Sequence, residues 1–294
     1  MSDMKIGMIG LDTSHCPTFA RILNKRRSKT PVTYAYKGGT KAFSHSINRV
    51  DKFTKQLRKK YDVNMLKSIE DVADKSDAIL LTSVDGRQHL EQFEILSKYQ
   101  KPVYIDKPLA CSLEDAKKII HLSEKTKTPM FSCSSLRYYN GIYQIGKDKD
   151  IKIAEVYGKV PIMEDYPGYF WYGVHSAEIL FSILGAGCEQ LQVASYENFD
   201  LVTANWSGER IGLLYGMRYK TSADWSVKLF SDDGVIDSIA KNKPSGFELM
   251  VPHILDFFKS KKSPINNQEM LEIMAYLEAV NKSRENGEAI QILV

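Results

Sequence analysis

The sequence predicts an α/β protein, with an N-terminal doubly wound parallel sheet of Rossmann type and a C-terminal α+β domain on a largely antiparallel, open-faced sheet. Three observations carry that expectation. From Lys5 to about Cys133, short apolar runs rich in β-branched residues alternate with longer runs of helical period, the rhythm of a parallel sheet covered on both faces. Beyond about Tyr138 the runs alternate apolar and polar residues between turn residues, as antiparallel strands do when one face meets solvent. Two helical stretches then close the chain. The expected division is a first domain over residues 1–133 and a second over residues 134–294.

Taken in order, KIGMIG (Lys5–Gly10) reads as a first strand. Pro17 suits the first turn of the helix that follows, because its missing N–H is one of the donors left unpaired there. PVTYAY (Pro31–Tyr36) is a second strand, ended by Gly38 and Gly39. A helical pattern runs through Phe53–Tyr61, and SIED (Ser68–Asp71) has the form of a capping box. DAILLTSV (Asp77–Val84) is apolar enough to be buried on both faces, as a central parallel strand is. HLEQFEILSKYQ (His89–Gln100) is helical, PVYID (Pro102–Asp106) a strand, SLEDAKKIIHLSEKT (Ser112–Thr126) a helix and PMFSCS (Pro129–Ser134) a further strand. In the second half a helix over roughly Val174–Leu184 precedes LQVASYE, DLVTANW, RIGLLYGMRY and SVKLFSD, which read as an antiparallel meander. PHILDFFKSK (Pro252–Lys261) and NQEMLEIMAYLEAVNKSREN (Asn267–Asn286) are the closing helices.

Composition narrows the function classes. At 294 residues, 43% hydrophobic and 26% charged, the chain is an ordinary globular one, long enough for one large or two ordinary domains. Its net charge of +4 is scattered, and the basic clusters NKRRSK (Asn24–Lys29), LRKK (Leu57–Lys60) and KSKK (Lys259–Lys262) sit beside helical patterns. They read as solvated helix ends, not as a nucleic-acid surface. The four cysteines form no C-x-x-C pair and show no metal-ligand spacing, so neither a bound metal nor a disulfide framework is expected, and a reducing cytoplasm is the simplest setting. No stretch approaches 18 apolar residues and the N-terminus lacks the pattern of a secretory leader, which argues against a membrane-spanning helix and a signal peptide.

The first strand runs into GLDTSH (Gly10–His15). A G-x-G-x-x-G turn at this place would cradle a diphosphate, but here the glycine positions hold Gly10, Asp12 and His15. Gly10 supplies the tight turn; Leu11 through Cys16 supply amide donors, and Thr13 and Ser14 add hydroxyls. Asp12 would repel a diphosphate if it faced one, or cap the loop if it pointed away and accepted backbone N–H groups. His15 stands where a small residue normally lets helix and strand pack closely. The loop therefore reads as a dinucleotide site of altered geometry; the alternative is a Rossmann-like domain that holds no nucleotide.

YIDKPLA (Tyr104–Ala110), a strand ending in acid-Lys-Pro, resembles the E-K-P signature of the glucose–fructose oxidoreductase/inositol dehydrogenase family of NAD(P)-dependent enzymes. DAILLTSVDGRQH (Asp77–His89), SSLRYYNG (Ser134–Gly141), GVHSAEILFSILG (Gly173–Gly185) and the tail from Ile265 to Leu293 resemble further segments of that family, in family order and over nearly the whole chain. The resemblance implies a dehydrogenase that moves hydride between a nicotinamide cofactor and a hydroxylated small molecule such as a sugar or polyol. It places Gly10 to His15, Ser83, Val84, Asp85, His89, Asp106 and Lys107 at the cofactor. It makes Lys107 and His175 the catalytic pair beside the nicotinamide, with Pro108 in a cis-type turn. Arg137, Trp171, Tyr172 and Glu178 fall at the substrate. A homo-oligomer, dimer or tetramer, is implied as well.

Lys37 stands where family members often carry an acid for the ribose hydroxyls. A cation there, before Gly38, Gly39 and Thr40, leans the expectation towards NADP over NAD; otherwise it is a surface lysine at a strand end. Trp171 occupies the place of an Asp that commonly precedes the active-site histidine by four residues, and YPGYFWYGVH is unusually aromatic. Such a wall can stack on a ring substrate or pack as core. Without that Asp, either Lys107 and His175 suffice, Glu164 or Asp165 replaces it, or the chain binds nucleotide or sugar without turnover, as a sensor or interaction protein. A lyase or hydrolase that uses tightly held NAD is a further reading open at this point.

Overall fold

The computed structural model describes residues 3–25, 28–219 and 225–294; Arg26 and Arg27 of the first basic cluster lie outside them. By internal contact the chain divides into two units, Met1–Cys133 with Met250–Ile265 and Ser134–Leu249 with Asn266–Val294.

The first unit runs β1 (Ile6–Ile9), α1 (His15–Leu23), β2 (Val32–Tyr36), α2 (Ser44–Ile47), α3 (Val50–Tyr61), β3 (Asn64–Leu66), α4 (Ile69–Lys75), β4 (Ala78–Leu81), α5 (His89–Leu96), β5 (Val103–Asp106), α6 (Leu113–Thr126) and β6 (Met130–Cys133). Its six-stranded sheet has the order β3-β2-β1-β4-β5-β6, with every pair parallel. The strand order reverses between β1 and β4, the topological switch point at which open α/β sheets bind ligands beyond their strand ends. β1, β4, β5 and β6 are buried at every residue, which is why they read as continuous apolar runs. Serines start two of the helices. Ser68 accepts the Asp71 amide at 3.0 Å and Ser112 the Asp115 amide at 3.1 Å, and acids in the first turns complement the helix dipoles. The sequence reading lacks β3, whose Asn-Met-Leu carries no β-branched residue.

The second unit contains β7 (Ile151–Lys159), α7 (Gly173–Leu184), β8 (Cys188–Ser195), β9 (Phe199–Trp206), β10 (Arg210–Met217), β11 (Trp225–Ser231) and β12 (Gly234–Ile239). The start of α8 (Gly246–Ser260), then α9 (Asn267–Asn286) and β13 (Ile290–Gln291), complete it. Its seven-stranded sheet has the order β12-β11-β7-β10-β9-β8-β13. The expected meander holds for β8, β9 and β10, but β10 and β11 are not neighbours. β7 lies between them, parallel to β10 and antiparallel to β11. A strand that comes from earlier in the chain fills the place a meander would have closed. α7 packs on β7 and β10, and α9 on β8. Gly158 shows how tightly: a Cβ there would lie 1.9 Å from Ser176 Oγ.

The expected second domain is also interrupted, because the later turns of α8 belong to the first unit. Phe257 meets the Phe131 ring edge-on at 4.8 Å, and Met250 Sδ lies 3.7 Å from Tyr104 Oη. These are the contacts an apolar helix face makes with the β5–β6 end of a sheet. Among the described residues no helix is long and apolar enough to cross a membrane.

Candidate active site and dinucleotide loop

In the first unit the site is built from the ends of β1, β4 and β5. Gly10 has φ +82, and a Cβ on it would stand 2.2 Å from Ser83 Oγ and 2.5 Å from Ser83 Cα. Only glycine permits the β1 turn to pass so close to the segment after β4. Gly10 and Leu11 donate their amides to the carbonyls of Tyr36 and Lys37 at 3.2 and 2.8 Å, which ties the turn to β2.

Asp12 resolves the difficulty its sequence position raised. It is fully buried; Oδ1 accepts the Val84 amide at 2.9 Å and Oδ2 the Ser46 hydroxyl at 2.6 Å. Ser46 Oγ in turn accepts the Thr40 amide at 2.8 Å. The carboxylate thus fastens the β1 loop to the β4 loop and to α2, with both oxygens committed inside the fold. Burial pushes its pKa up, and the Ser46 and Val84 hydrogen bonds work against that rise.

His15, the second departure from the glycine pattern, opens α1 and reaches across to β5. Its Nδ1 lies 2.5 Å from Asp106 Oδ2, while Asp106 Oδ1 accepts the Lys107 amide at 2.9 Å. Burial alone would raise the Asp106 pKa, but His15 and Lys107 hold its carboxyl below the ordinary range. Lys107 is itself buried and its pKa is lowered, first by desolvation and further by Arg49, with Asp106 pulling the other way. The Lys107–Pro108 peptide is cis, the form the resemblance implies.

The remaining expected cofactor residues shape this edge. Val84 gives its amide to Asp12. Asp85 caps the turn Gly86–Gln88 through the Arg87 amide and holds the Arg87 guanidinium at 2.8 and 2.9 Å. His89 is fully buried, with Nε2 2.9 Å from the Ser83 carbonyl and Nδ1 2.9 Å from that of Pro108, a strut between the β4 and β5 loops. Lys37 pairs with Asp51 at 2.6 Å, both side chains well exposed.

Three features of this edge fit a dinucleotide. The bare backbone of Gly10 permits close approach. The Ser83 hydroxyl beside it is buried without a hydrogen-bond partner among the described residues, a group that a ligand oxygen would satisfy. Ser14 opens α1 with no side-chain cap and no partner for its amide among the described residues, a donor at the positive end of a helix dipole.

In the second unit His175 lies in the first turn of α7. Its Nδ1 is 2.6 Å from Ser134 Oγ, and its ring meets those of Tyr172 at 5.4 Å and Trp225 at 5.7 Å, both edge-on. Tyr172 also stacks on Trp225, and Trp171 stands between Tyr166 and Tyr172 at 5.4 and 5.5 Å. Glu178 and Arg137 are brought together: Arg137 Nε donates to Glu178 at 2.7 Å and Nη2 to Glu269 at 2.5 Å. Burial raises the Glu178 pKa, and Arg137 counters it. A partner of His175 is therefore a serine, Ser134, that lies 41 residues away in the chain. Sequence reasoning missed Ser134, Trp225, Ser46 and Glu269. Each sits far along the chain from the residue it contacts, and only the tryptophan carries a signal, a large ring opening an alternating strand.

Residues 4–132 match the profile of an oxidoreductase family with an NAD-binding Rossmann fold, Gfo/Idh/MocA. No curated protein matches the sequence. Similar solved structures include myo-inositol dehydrogenase from Lactobacillus casei in complex with NAD(H) and myo-inositol, at TM-score 0.80 and 14% identity, covering 100% of this chain and 98% of that one. Myo-inositol 2-dehydrogenase from Lactobacillus plantarum aligns at 0.78 and 15%, covering 99% and 100%. An oxidoreductase from Agrobacterium radiobacter in complex with NAD+, L-tartaric acid and magnesium aligns at 0.78 and 13%, covering 99% of each chain. At these identities the likeness is one of fold.

Proposed function

We propose that this chain is a dehydrogenase for a hydroxylated small molecule, a sugar, polyol or derivative, with Lys107 and His175 as its catalytic residues, a reading supported by the match of residues 4–132 to the profile of the Gfo/Idh/MocA oxidoreductases with their NAD-binding Rossmann fold. The observation that carries the proposal is the buried Lys107 at the end of β5, its ammonium disfavoured by desolvation. Desolvation favours the neutral, proton-accepting amine of such a lysine, while Asp106 favours its ammonium. Bound NAD would supply the hydride acceptor. Gly10 and Ser14 would receive the diphosphate, and Asp106, fixed by His15, would hold Lys107 in place. Tyr172 and Trp225 would offer flat apolar faces to the C–H side of a ring.

NAD is the cofactor of this proposal. The lean towards NADP rested on Lys37, and that lysine already has Asp51 as its partner. The inositol dehydrogenase and the Agrobacterium oxidoreductase, both solved with NAD, support the same choice. We extend the proposal to a homo-oligomer, for which sedimentation velocity is the check, and to the cytoplasm, in keeping with four cysteines that form no disulfide among the described residues.

The test is quenching of protein fluorescence, or energy transfer, on adding NADH and NADPH. Binding of NADH in the micromolar range with weaker NADPH is expected. No response to either at millimolar concentration would overturn the proposal. One observation favours a second reading, a member that binds without turnover: Trp171 is packed among Tyr166 and Tyr172 where an acid is common. That reading predicts NADH binding with no hydride transfer to any of a panel of polyols and sugars.

A further inference from the structure

We infer that Ser134 fixes neutral His175 in the tautomer that carries its hydrogen on Nε2, so that the imidazole offers its substrate a hydrogen-bond donor and not a lone pair. Ser134 is fully buried, follows β6 directly and opens the turn Ser135–Tyr138. A serine oxygen has one hydrogen to give and two lone pairs to accept with. One lone pair takes the Leu136 amide at 3.1 Å, which caps that turn. The other polar neighbour of the oxygen is His175 Nδ1, at 2.6 Å.

Two arrangements are conceivable. Were Nδ1 to carry the ring hydrogen, Ser134 Oγ would accept twice, and its own hydrogen would be left buried with no acceptor among the described residues. An unmade bond from a buried donor costs more than a made one contributes. Donation from Oγ to Nδ1 satisfies the hydroxyl, the nitrogen and the Leu136 amide together, and puts the ring hydrogen on Nε2. Turning the ring over would present a carbon to Ser134 and forfeit the 2.6 Å contact. No acid on the same helix intervenes, because Glu178 Oε2 is taken by Arg137. A carboxylate that accepted from Nδ1–H would select the opposite tautomer, the one suited to a general base. Ser134 is thus a positioning residue, and it assigns His175 a donor's role.

The consequence for catalysis rests on the proposed function and divides its labour. The substrate carbon would give its hydride to the bound cofactor, the hydroxyl would give its proton to the Lys107 amine, and a carbonyl would result. His175 would neither gain nor lose a proton; its Nε2–H would hold the oxygen as charge develops there.

The tautomer can be read without cofactor or substrate. Long-range proton–nitrogen spectra of the full chain labelled with 15N-histidine, followed across pH, would identify the neutral plateau of His175, assigned by the signals lost in His175→Gln. The expected result is an unprotonated Nδ1 and a protonated Nε2. Ser134→Thr, which keeps the hydroxyl, should preserve that pattern, and Ser134→Ala should convert it to a mixture or to Nδ1–H. A wild-type spectrum with Nδ1–H overturns the inference whatever the variants do, as does an unchanged tautomer in a folded Ser134→Ala. Failure to bind NADH would remove the proposed function and leave the tautomer standing, so the two failures are distinguishable.

Discussion

The two units handle buried polarity in opposite ways. In the first, charge is concentrated in the residues assigned to function: Asp12, Asp106 and Lys107 are all buried at the ends of the parallel strands, with His15 drawn into the group. In the second, the buried charges form frameworks of ion pairs and hydrogen bonds. Asp200 accepts from Tyr169 at 2.9 Å, Ser195 at 2.7 Å, Arg218 at 2.6 Å and Arg284 at 2.9 Å. Arg137 spans Glu178 and Glu269, and His175 meets a serine and two aromatic rings. The difference teaches that a buried ion pair is not in itself a mark of function. What distinguishes the first unit is that its pairs meet at the switch point of the sheet, where a ligand is expected.

The largest effect that would break this contrast is expected in the framework. Asp200→Ala should cost about 3–5 kcal/mol by urea unfolding, because it removes a fully buried carboxylate and leaves two half-buried guanidinium groups without it. A cost near zero would mean the network is not structural. Next is Gly10→Ala, which forces a methyl against Ser83 from a left-handed backbone. It should destabilise by about 2–4 kcal/mol and abolish NADH binding.

His15→Ala should cost about 1.5–3 kcal/mol near neutral pH, the range for a hydrogen bond to a charged group, with His15→Asn recovering part of it. The sign with pH follows from the lowered Asp106. A carboxyl whose folded pKa is depressed adds stability that is complete above the unfolded value, about 3.9, and is lost as pH falls through the folded one. The penalty of His15→Ala should therefore shrink in acid, and a penalty that grows there would contradict the pairing. Lys37→Ala should be smallest, within about 1 kcal/mol in stability, and should change the NADH/NADPH preference by less than tenfold if Lys37 does not grip a 2′-phosphate.

The sequence made the sheet rhythm legible, and the resemblance of YIDKPLA implied the cis-type turn at Pro108, because each is written in consecutive residues. It left Asp12 as a choice between repelling a ligand and capping the loop. Ser46 and Val84, the partners that decide, lie 34 and 72 residues away. His15 read only as a misfit for a glycine, since nothing local reveals a contact with Asp106 across 91 residues. β7 (IKIAEVYGK) is absent from the sequence reading altogether, and even its alternation would not say which sheet edge it pairs with. Ser134 is one of three serines in Ser132–Ser135, and only the arrival of α7 beside it singles it out.

The central claim is that the Gly10 turn, despite Asp12 and His15, receives the diphosphate of NAD and delivers its nicotinamide to Lys107. A crystal structure of the protein soaked with NAD tests this most directly. The account predicts the diphosphate against Gly10 and the Ser14 amide, Asp12 still bound to Ser46 and Val84, and the nicotinamide ring beside Lys107. A nucleotide bound elsewhere, or one that displaces Asp12 from its partners, would contradict it.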